Sequence, residues 1–120
     1  MDYEELINYL LVQFPSLKEE YIENDHIHGL PHCVYETILV PEIEVWCKTK
    51  NDHNLVKLGN FLEELLLSDD TKIKEVVNVS VLEPIVLGSK DIIPYLSRHL
   101  YGVTLQELIY WQKRYSINDN

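Results

Sequence analysis

Apolar residues recur at three- and four-residue spacing along most of the chain, which is the period of one face of an α-helix. The first such run covers residues 3–14 and ends at Pro15. A second, short helix is expected to follow as far as Glu23. After a polar loop, Pro31 suits the first turn of a third helix. Pro41 lies inside this third run, so we expect a kink or a fresh start just before it.

The second half opens with a strong amphipathic pattern that ends at Leu66. Asn51 or Asp52 can cap the start of this helix through a side-chain oxygen. Gly59 lies within it, where glycine costs about 1 kcal/mol relative to alanine. We therefore expect a neighbouring helix to approach closely at Gly59.

The valine-rich stretch that follows is ambiguous. Val77, Val79 and Val81 alternate in a strand-like period of two, but the upstream residues continue a helical pattern without a break. We favour a helix, which Pro84 and Gly88 should close.

The C-terminal region predicts two more helices. Pro94 suits the start of a short helix that ends at Gly102, and Thr104 with Glu107 has the spacing of a capping box that opens the last helix. Residues 116–120 are expected to fray.

These patterns predict an all-α fold: one helical domain over residues 1–120, built as an irregular bundle of six to eight short antiparallel helices. Stacked helical hairpins of the HEAT type are the alternative arrangement. No sequence repeat is evident.

Composition narrows the class of protein. The chain has 120 residues and 46% hydrophobic content, enough for one buried core. It lacks a long apolar run and a secretion signal at its start, so we expect a cytoplasmic protein that does not enter a membrane. In a reducing compartment Cys33 and Cys47 should remain thiols.

Charge is distributed unevenly along the chain. Residues 1–45 carry ten acids and a single base, Lys18, whereas residues 46–120 carry ten acids and nine bases. The net charge is −10. Such a field attracts a basic protein surface and repels nucleic acid and anionic membrane, so we expect a cationic protein partner.

Familiar catalytic motifs are missing from the sequence. The four glycines are isolated, so no phosphate-binding loop is present, and the spacings of common hydrolases and metalloproteases do not occur. Paired acids such as Glu63 and Glu64 point to different sides of a helix. We therefore predict a protein that is not an enzyme and needs no cofactor.

One cluster could contradict that prediction. His26, His28, His32 and Cys33 are all zinc-ligand types within eight residues. They would suit a small metal-binding enzyme or a structural metal site. The interpretation that we favour is a polar loop whose histidines face water, with Cys33 buried on the following helix, because no second ligand pair is obvious.

Tyrosine is unusually frequent. The chain has eight tyrosines against two phenylalanines, and several lie among the N-terminal acids. Acids interleaved with tyrosines can bind lysine and arginine by ion pairs while the rings supply apolar area. The alternative is that the rings line the core and their hydroxyls reach the surface.

Three segments resemble a small bacterial helical family. They are residues 59–70, with a phenylalanine, a leucine and two acids at 61–64, the valine-rich residues 76–83, and the entry Leu30-Pro31-His32. The likeness covers about residues 30–84 and carries no active site. Such proteins are similar to those encoded beside polymorphic or contact-dependent toxins. The resemblance implies a small cytoplasmic protein that protects the producing cell.

Charge, tyrosines and resemblance together predict an immunity protein that binds and neutralises a cognate toxin with a basic surface, such as a nuclease. A helical adaptor with another partner, whose acidity serves solubility alone, is the runner-up. The predicted partner-binding residues are Glu19, Glu20, Tyr21, Glu23, Asp25, Tyr35, Glu36, Glu42 and Glu44.

Overall fold

The computed structural model describes residues 1–116, which form helices and no β-strand. The predicted all-α irregular bundle is confirmed. Within the described span the helices are α1 (Leu6–Gln13), α2 (Lys18–Glu23), α3 (31–48), α4 (Asp52–Leu66), α5 (71–88), α6 (Ile93–Ser97) and α7 (Gly102–Ser116). Short 3-10 turns occur at Tyr3–Glu5, Pro15–Leu17, Asp25–Ile27 and Lys90–Ile92.

Helices α3 and α5 each contain a π-helical turn that ends two residues before a proline. In α3 the turn is Tyr35–Leu39 and Pro41 follows; in α5 it is Asn78–Leu82 and Pro84 follows. Proline has no N–H, and its ring clashes with the carbonyl four residues earlier. A widened turn, with bonds to the carbonyl five residues earlier, lets the helix continue. The expected interruption at Pro41 is therefore a π turn within one helix.

The hydrogen bonds of the two π turns occupy the same positions relative to the proline that follows each turn. The N–H of Val40 donates to the Tyr35 carbonyl, and the N–H of Glu83 donates to the Asn78 carbonyl. The two prolines are 43 positions apart, and each follows the start of its π turn by six. This repeat of local structure was not predicted from the sequence, because it depends on the positions of the prolines and not on similar side chains.

The valine-rich stretch is helical, as predicted, but Pro84 does not close the helix. The π turn accommodates this proline and α5 continues to Gly88. The two π turns pack against each other. A hydrogen bond of 2.6 Å between His32 Nδ1 and the buried Ser80 Oγ joins the two long helices at this crossing.

An aromatic cluster fixes the N-terminal helices against α4. The buried Phe61 ring lies within 5.4–6.2 Å, centre to centre, of the rings of Tyr9, Phe14 and Tyr35. The fully buried Tyr35 donates its hydroxyl hydrogen bond to the Leu6 carbonyl at 2.9 Å. Aromatic pairs at such distances stabilise a core beyond the area they bury. This packing joins α1 and α3 to α4.

The start of α7 differs from the prediction. Gly102 does not end the preceding helix, which stops at Ser97; instead it begins α7 with a left-handed φ of 57°. Thr104 is not the N-cap. The buried carboxylate of Glu63 on α4 accepts hydrogen bonds from the Val103 and Thr104 N–H groups and from the Thr104 hydroxyl at 2.7–3.0 Å. A distant acid thus does what the local capping box was expected to do.

Other sequence predictions have mixed outcomes. The Asn51 side chain caps α4 by accepting the Asn54 N–H. Gly59 is a point of close approach, but the neighbour is a turn: a Cβ there would lie 2.2 Å from the His99 carbonyl oxygen. Ser116 is helical, and the rest of the predicted frayed end lies outside the described residues. In the described part of the chain, no helix has the length and apolar character needed to cross a membrane.

Candidate partner-binding groove

Helices α2 and α3 enclose an open groove of about 530 Å³ on the N-terminal half of the molecule. Its walls are formed by α2, by the turn that precedes it, and by the π turn of α3 with its proline. Its lining residues are Ser16, Leu17, Glu19, Glu20, Glu23, Thr37, Ile38, Pro41 and Glu42.

Local helix geometry brings four glutamates to this groove. Glu19 and Glu23 are four residues apart in α2, so they share one side of the helix, and Glu20 is adjacent. Glu42 directly follows Pro41 in α3, where the π turn has ended. The three acids of α2 are exposed and Glu42 is half-buried.

The floor of the groove is apolar. Leu17 and Ile38 are 2% and 3% exposed and form part of the lining, and the ring of Pro41 lies beside them. The exposed, hydroxyl-bearing residues Ser16 and Thr37 complete the lining. The groove therefore combines an apolar floor with hydrogen-bond acceptors above it.

No lysine, arginine or histidine is among the described residues that line the groove. Lys18, the one base in residues 1–45, is exposed on α2 but does not line it. Four carboxylates in one concave site that is lined by no described base concentrate the negative field there. At physiological ionic strength the Debye length is about 8 Å, so this field acts mainly on groups close to the groove.

The structure brings together four of the nine predicted partner-binding residues, the glutamates at 19, 20, 23 and 42. Asp25 and Glu36 are exposed but do not line the groove, and the half-buried Tyr21 stacks on His28 with ring centres 4.3 Å apart. The apolar floor residues of the groove were not predicted from the sequence. Pro41 was the available signal, because it marked the irregular turn beside the acids.

Two of the nine residues serve the fold instead. Tyr35 is fully buried and bonded to the Leu6 carbonyl, so its ring has no surface to offer a partner. Glu44 accepts a hydrogen bond from the hydroxyl of the buried Ser89, which joins α3 to the turn before α6. As a correction to the sequence-based prediction, Tyr35 is removed from the candidate partner-binding residues. Glu44 lies outside the groove.

Comparison with known proteins places the chain in a family. A family model described as a domain of unknown function, DUF7674, matches residues 7–112. The chain belongs to the DUF7674 family. Neither the curated proteins nor the solved structures yielded a match. The matched span contains all nine groove residues of this DUF7674 domain.

Tyrosine hydroxyls of the DUF7674 domain mostly join helices. Tyr9 donates to Glu64, Tyr95 to Asp52 and Tyr115 to Glu83. The hydrogen bond to Glu64 raises the pKa of Tyr9 to about 12, with burial and the nearby negative charge adding to the effect. These tyrosines follow the alternative in which the ring packs inward and the hydroxyl reaches an acceptor near the surface.

The histidine-rich segment does not converge on one point. His28 Nε2 lies 2.7 Å from the Tyr21 carbonyl oxygen, whereas His32 turns to Ser80. Cys33 is exposed rather than buried as expected; Cys47 is buried, which raises the pKa of its thiol to about 11. Both cysteines are free thiols. Among residues 1–116 no three His, Cys, Asp or Glu side chains are grouped to hold a metal ion.

Proposed function

We propose that this DUF7674 chain is a binding domain, not an enzyme, which neutralises a basic protein by taking a cationic segment into the groove between α2 and α3. The sequence resemblance supplies the specific form of this proposal: an immunity protein whose partner is a toxin, with a basic nuclease as the leading candidate. The observation that carries the proposal is the lining of the groove, which has four carboxylates and no basic side chain.

The groove suits both parts of a lysine or arginine side chain, the aliphatic stem and the charged head. The aliphatic stem of such a side chain packs favourably on apolar surface while its charged head stays among polar groups. Leu17, Ile38 and Pro41 supply that surface. The carboxylates of Glu19, Glu23 and their neighbours supply acceptors for the ammonium or guanidinium group, and charge-assisted hydrogen bonds are stronger than neutral ones.

Inhibition of a nuclease would follow from the same chemistry. A nuclease holds nucleic acid phosphates with lysine and arginine side chains. Carboxylates presented on a rigid helix pair can occupy those cations in place of phosphate. Complementary charge mainly accelerates association, and a few well-packed side chains supply most of the affinity.

Capture of the partner with two charge-matched variants tests the proposal. The groove variant carries Glu19→Gln, Glu20→Gln, Glu23→Gln and Glu42→Gln. The control variant removes the same number of charges from exposed acids outside the groove: Glu4→Gln, Glu5→Gln, Asp69→Asn and Glu75→Gln. Each is immobilised and exposed to lysate of the producing strain in parallel with the wild type.

We expect the wild type and the control variant to retain a basic protein that the groove variant loses. Co-expression with that protein should then protect growth only for the first two forms. Equal retention by all three forms would contradict a role for the groove. Equal loss of retention in both variants would assign capture to the overall negative charge and would also contradict a role for the groove.

A further inference from the structure

The π turn of α3 leaves backbone acceptors unused beside the acidic groove. In a regular α-helix the Glu36 carbonyl would accept the Val40 N–H, but that N–H is donated to the Tyr35 carbonyl instead. The next N–H along the chain would serve the Glu36 carbonyl in a π turn or the Thr37 carbonyl in an α turn. It is missing, because residue 41 is a proline. We call the Glu36 and Thr37 carbonyls the carbonyl edge.

Side chains do not replace the missing donor. The Thr49 and Asn78 side chains each donate to the carbonyl four residues earlier in their own helices. Among residues 1–116 no side chain makes such a bond to the carbonyl edge. Glu36 and Thr37 are both exposed, so water can solvate their carbonyls in the free protein. The carbonyl edge is therefore open to a donor from a partner.

The direction of α3 brings the carbonyl edge to the groove. Helix carbonyls point toward the C-terminal end of their helix, which for Glu36 and Thr37 is the direction of Pro41. Thr37 and Pro41 both line the groove, and the groove acid Glu42 follows directly. Neutral carbonyl acceptors thus lie on the same side of the groove as one of its carboxylates.

The π turn of α5 has the same backbone without the groove. The Glu83 N–H is donated to the Asn78 carbonyl, and Pro84 again has no N–H. The Val79 carbonyl is passed over in the way that the Glu36 carbonyl is in α3. Neither Pro84 nor any residue of that turn lines the groove between α2 and α3. The chain therefore supplies a matched control for the α3 turn.

Arginine matches a site with carboxylates and carbonyls better than lysine does. A guanidinium carries five N–H donors in a rigid plane, so one edge can pair with a carboxylate while another N–H reaches a carbonyl. A lysine ammonium has three donors on one atom and is more strongly hydrated. Additional neutral acceptors beside the carboxylates therefore favour arginine.

We propose that the groove between α2 and α3 selects arginine over lysine in its partner, with the guanidinium shared between the groove carboxylates and the carbonyl edge. This inference rests on the proposed function, which leaves the choice between the two cations open. It gives Pro41 a role in specificity as well as in the path of α3. One net hydrogen bond corresponds to a preference of about fivefold.

Two peptides that differ only in their cations test the inference. A capped alanine pentapeptide with arginine at its second and fourth positions, and the same peptide with lysine there, are titrated into the protein at one ionic strength. Amide shifts are followed by two-dimensional NMR. We expect saturable shifts at residues 16–23 and 37–42, with the arginine peptide bound about fivefold more tightly.

The result separates this inference from the proposed function. Equal affinities of the two peptides at the groove would overturn the preference for arginine and leave the groove as a site for cations. No saturable shift at the groove with either peptide would overturn the preference and the proposed binding site together.

Proline variants test whether the preference comes from the carbonyl edge. Pro41→Ala supplies an N–H that bonds to one of the two edge carbonyls and so withdraws it from the groove. Pro84→Ala makes the same change in α5. Loss of the Pro41 ring weakens the contact with the aliphatic stem, which both cations have, so the ratio of the two affinities is the readout.

We expect the arginine-to-lysine affinity ratio to fall close to one in Pro41→Ala and to stay at about five in Pro84→Ala. Circular dichroism should report an intact fold for both variants, because alanine favours helix over proline. A ratio that Pro41→Ala leaves unchanged, or that falls equally in both variants, would refute the assigned role of the carbonyl edge.

Discussion

The carboxylates of the groove and the carboxylate of Glu63 are the same chemical group in opposite surroundings. Glu63 is 8% exposed and accepts three hydrogen bonds at the start of α7. The groove glutamates lie in an open site that no described lysine, arginine or histidine lines. The hydrogen-bond donors around an acid decide its role. We therefore assign Glu63 to stability, and we propose recognition for the groove.

The largest expected effect comes from Gly102→Ala. An alanine at φ 57° costs about 1–2 kcal/mol, and its Cβ would lie 2.1 Å from the Glu63 carboxylate oxygen, so the cap must also be lost. We expect the free energy of unfolding to fall by about 3 kcal/mol in urea titrations. Gly88→Ala is the matched control, because nothing lies within 4 Å of its Cβ and its φ is not left-handed.

The control should be neutral or slightly stabilising, since alanine favours helix over glycine. If Gly102→Ala were as well tolerated as Gly88→Ala, the structural account of the α7 start would be wrong.

Glu63→Gln tests the cap without changing the backbone. An amide can accept with its oxygen, but its NH2 group cannot accept from the Val103 N–H, so one buried donor loses its partner. We expect a loss of about 2 kcal/mol in the free energy of unfolding. Glu64→Gln is the neighbouring control: this exposed side chain accepts the Tyr9 hydroxyl and caps no helix among residues 1–116. Equal losses of unfolding free energy for the two variants would contradict a specific capping role for Glu63.

The pH dependence of stability should differ between wild type and Glu63→Gln. Burial raises the pKa of Glu63, but the hydrogen bonds from Thr104 and Val103 outweigh burial and lower the pKa overall. A lowered pKa in the folded state contributes stability above the unfolded value of about 4.3, and that contribution is lost as the pH falls through the folded pKa. The difference between the two proteins should therefore be constant above about pH 5 and shrink below about pH 4.

Urea titrations of both proteins at several pH values measure this difference, and acids common to both cancel. A difference that grew on acidification would contradict a lowered pKa.

The groove variant should have the smallest effect on stability. Removal of the four groove charges, three of them exposed, relieves mutual repulsion, but it also removes acids near the start of α2 that interact favourably with the helix dipole. These terms offset each other, so we expect the free energy of unfolding to change by less than about 1 kcal/mol. A loss of several kcal/mol would show that the groove acids support the fold, as Glu63 does.

Much of the fold was predictable because it depends on local signals. The periodicity, the proline positions and the cap at Asn51 indicated most helix starts. The start of α7 was not predictable: Glu63 lies 40 residues before the backbone it caps, and sequence spacing does not report such a contact. The prediction that Pro84 closes the helix failed for a related reason. The π turn that accommodates this proline is a property of the whole helix.

The candidate site was predictable in charge but not in shape. The excess of acids before residue 46 indicated a cationic partner, yet it could not separate Glu42, which lines the groove, from Glu44, which bonds to Ser89. Tyr35 was misassigned because composition does not tell a core tyrosine from a surface one.

The most direct test of the central claim is the rate of association with the captured basic partner, measured against ionic strength for wild type, groove variant and control variant. The two variants carry the same net charge, so only the position of the removed carboxylates differs. We predict that the groove variant associates about tenfold more slowly at low salt and with a flatter salt dependence, while the control variant stays close to wild type. Equal slowing of the two variants, or no slowing of either, would contradict the claim that the groove between α2 and α3 binds the partner.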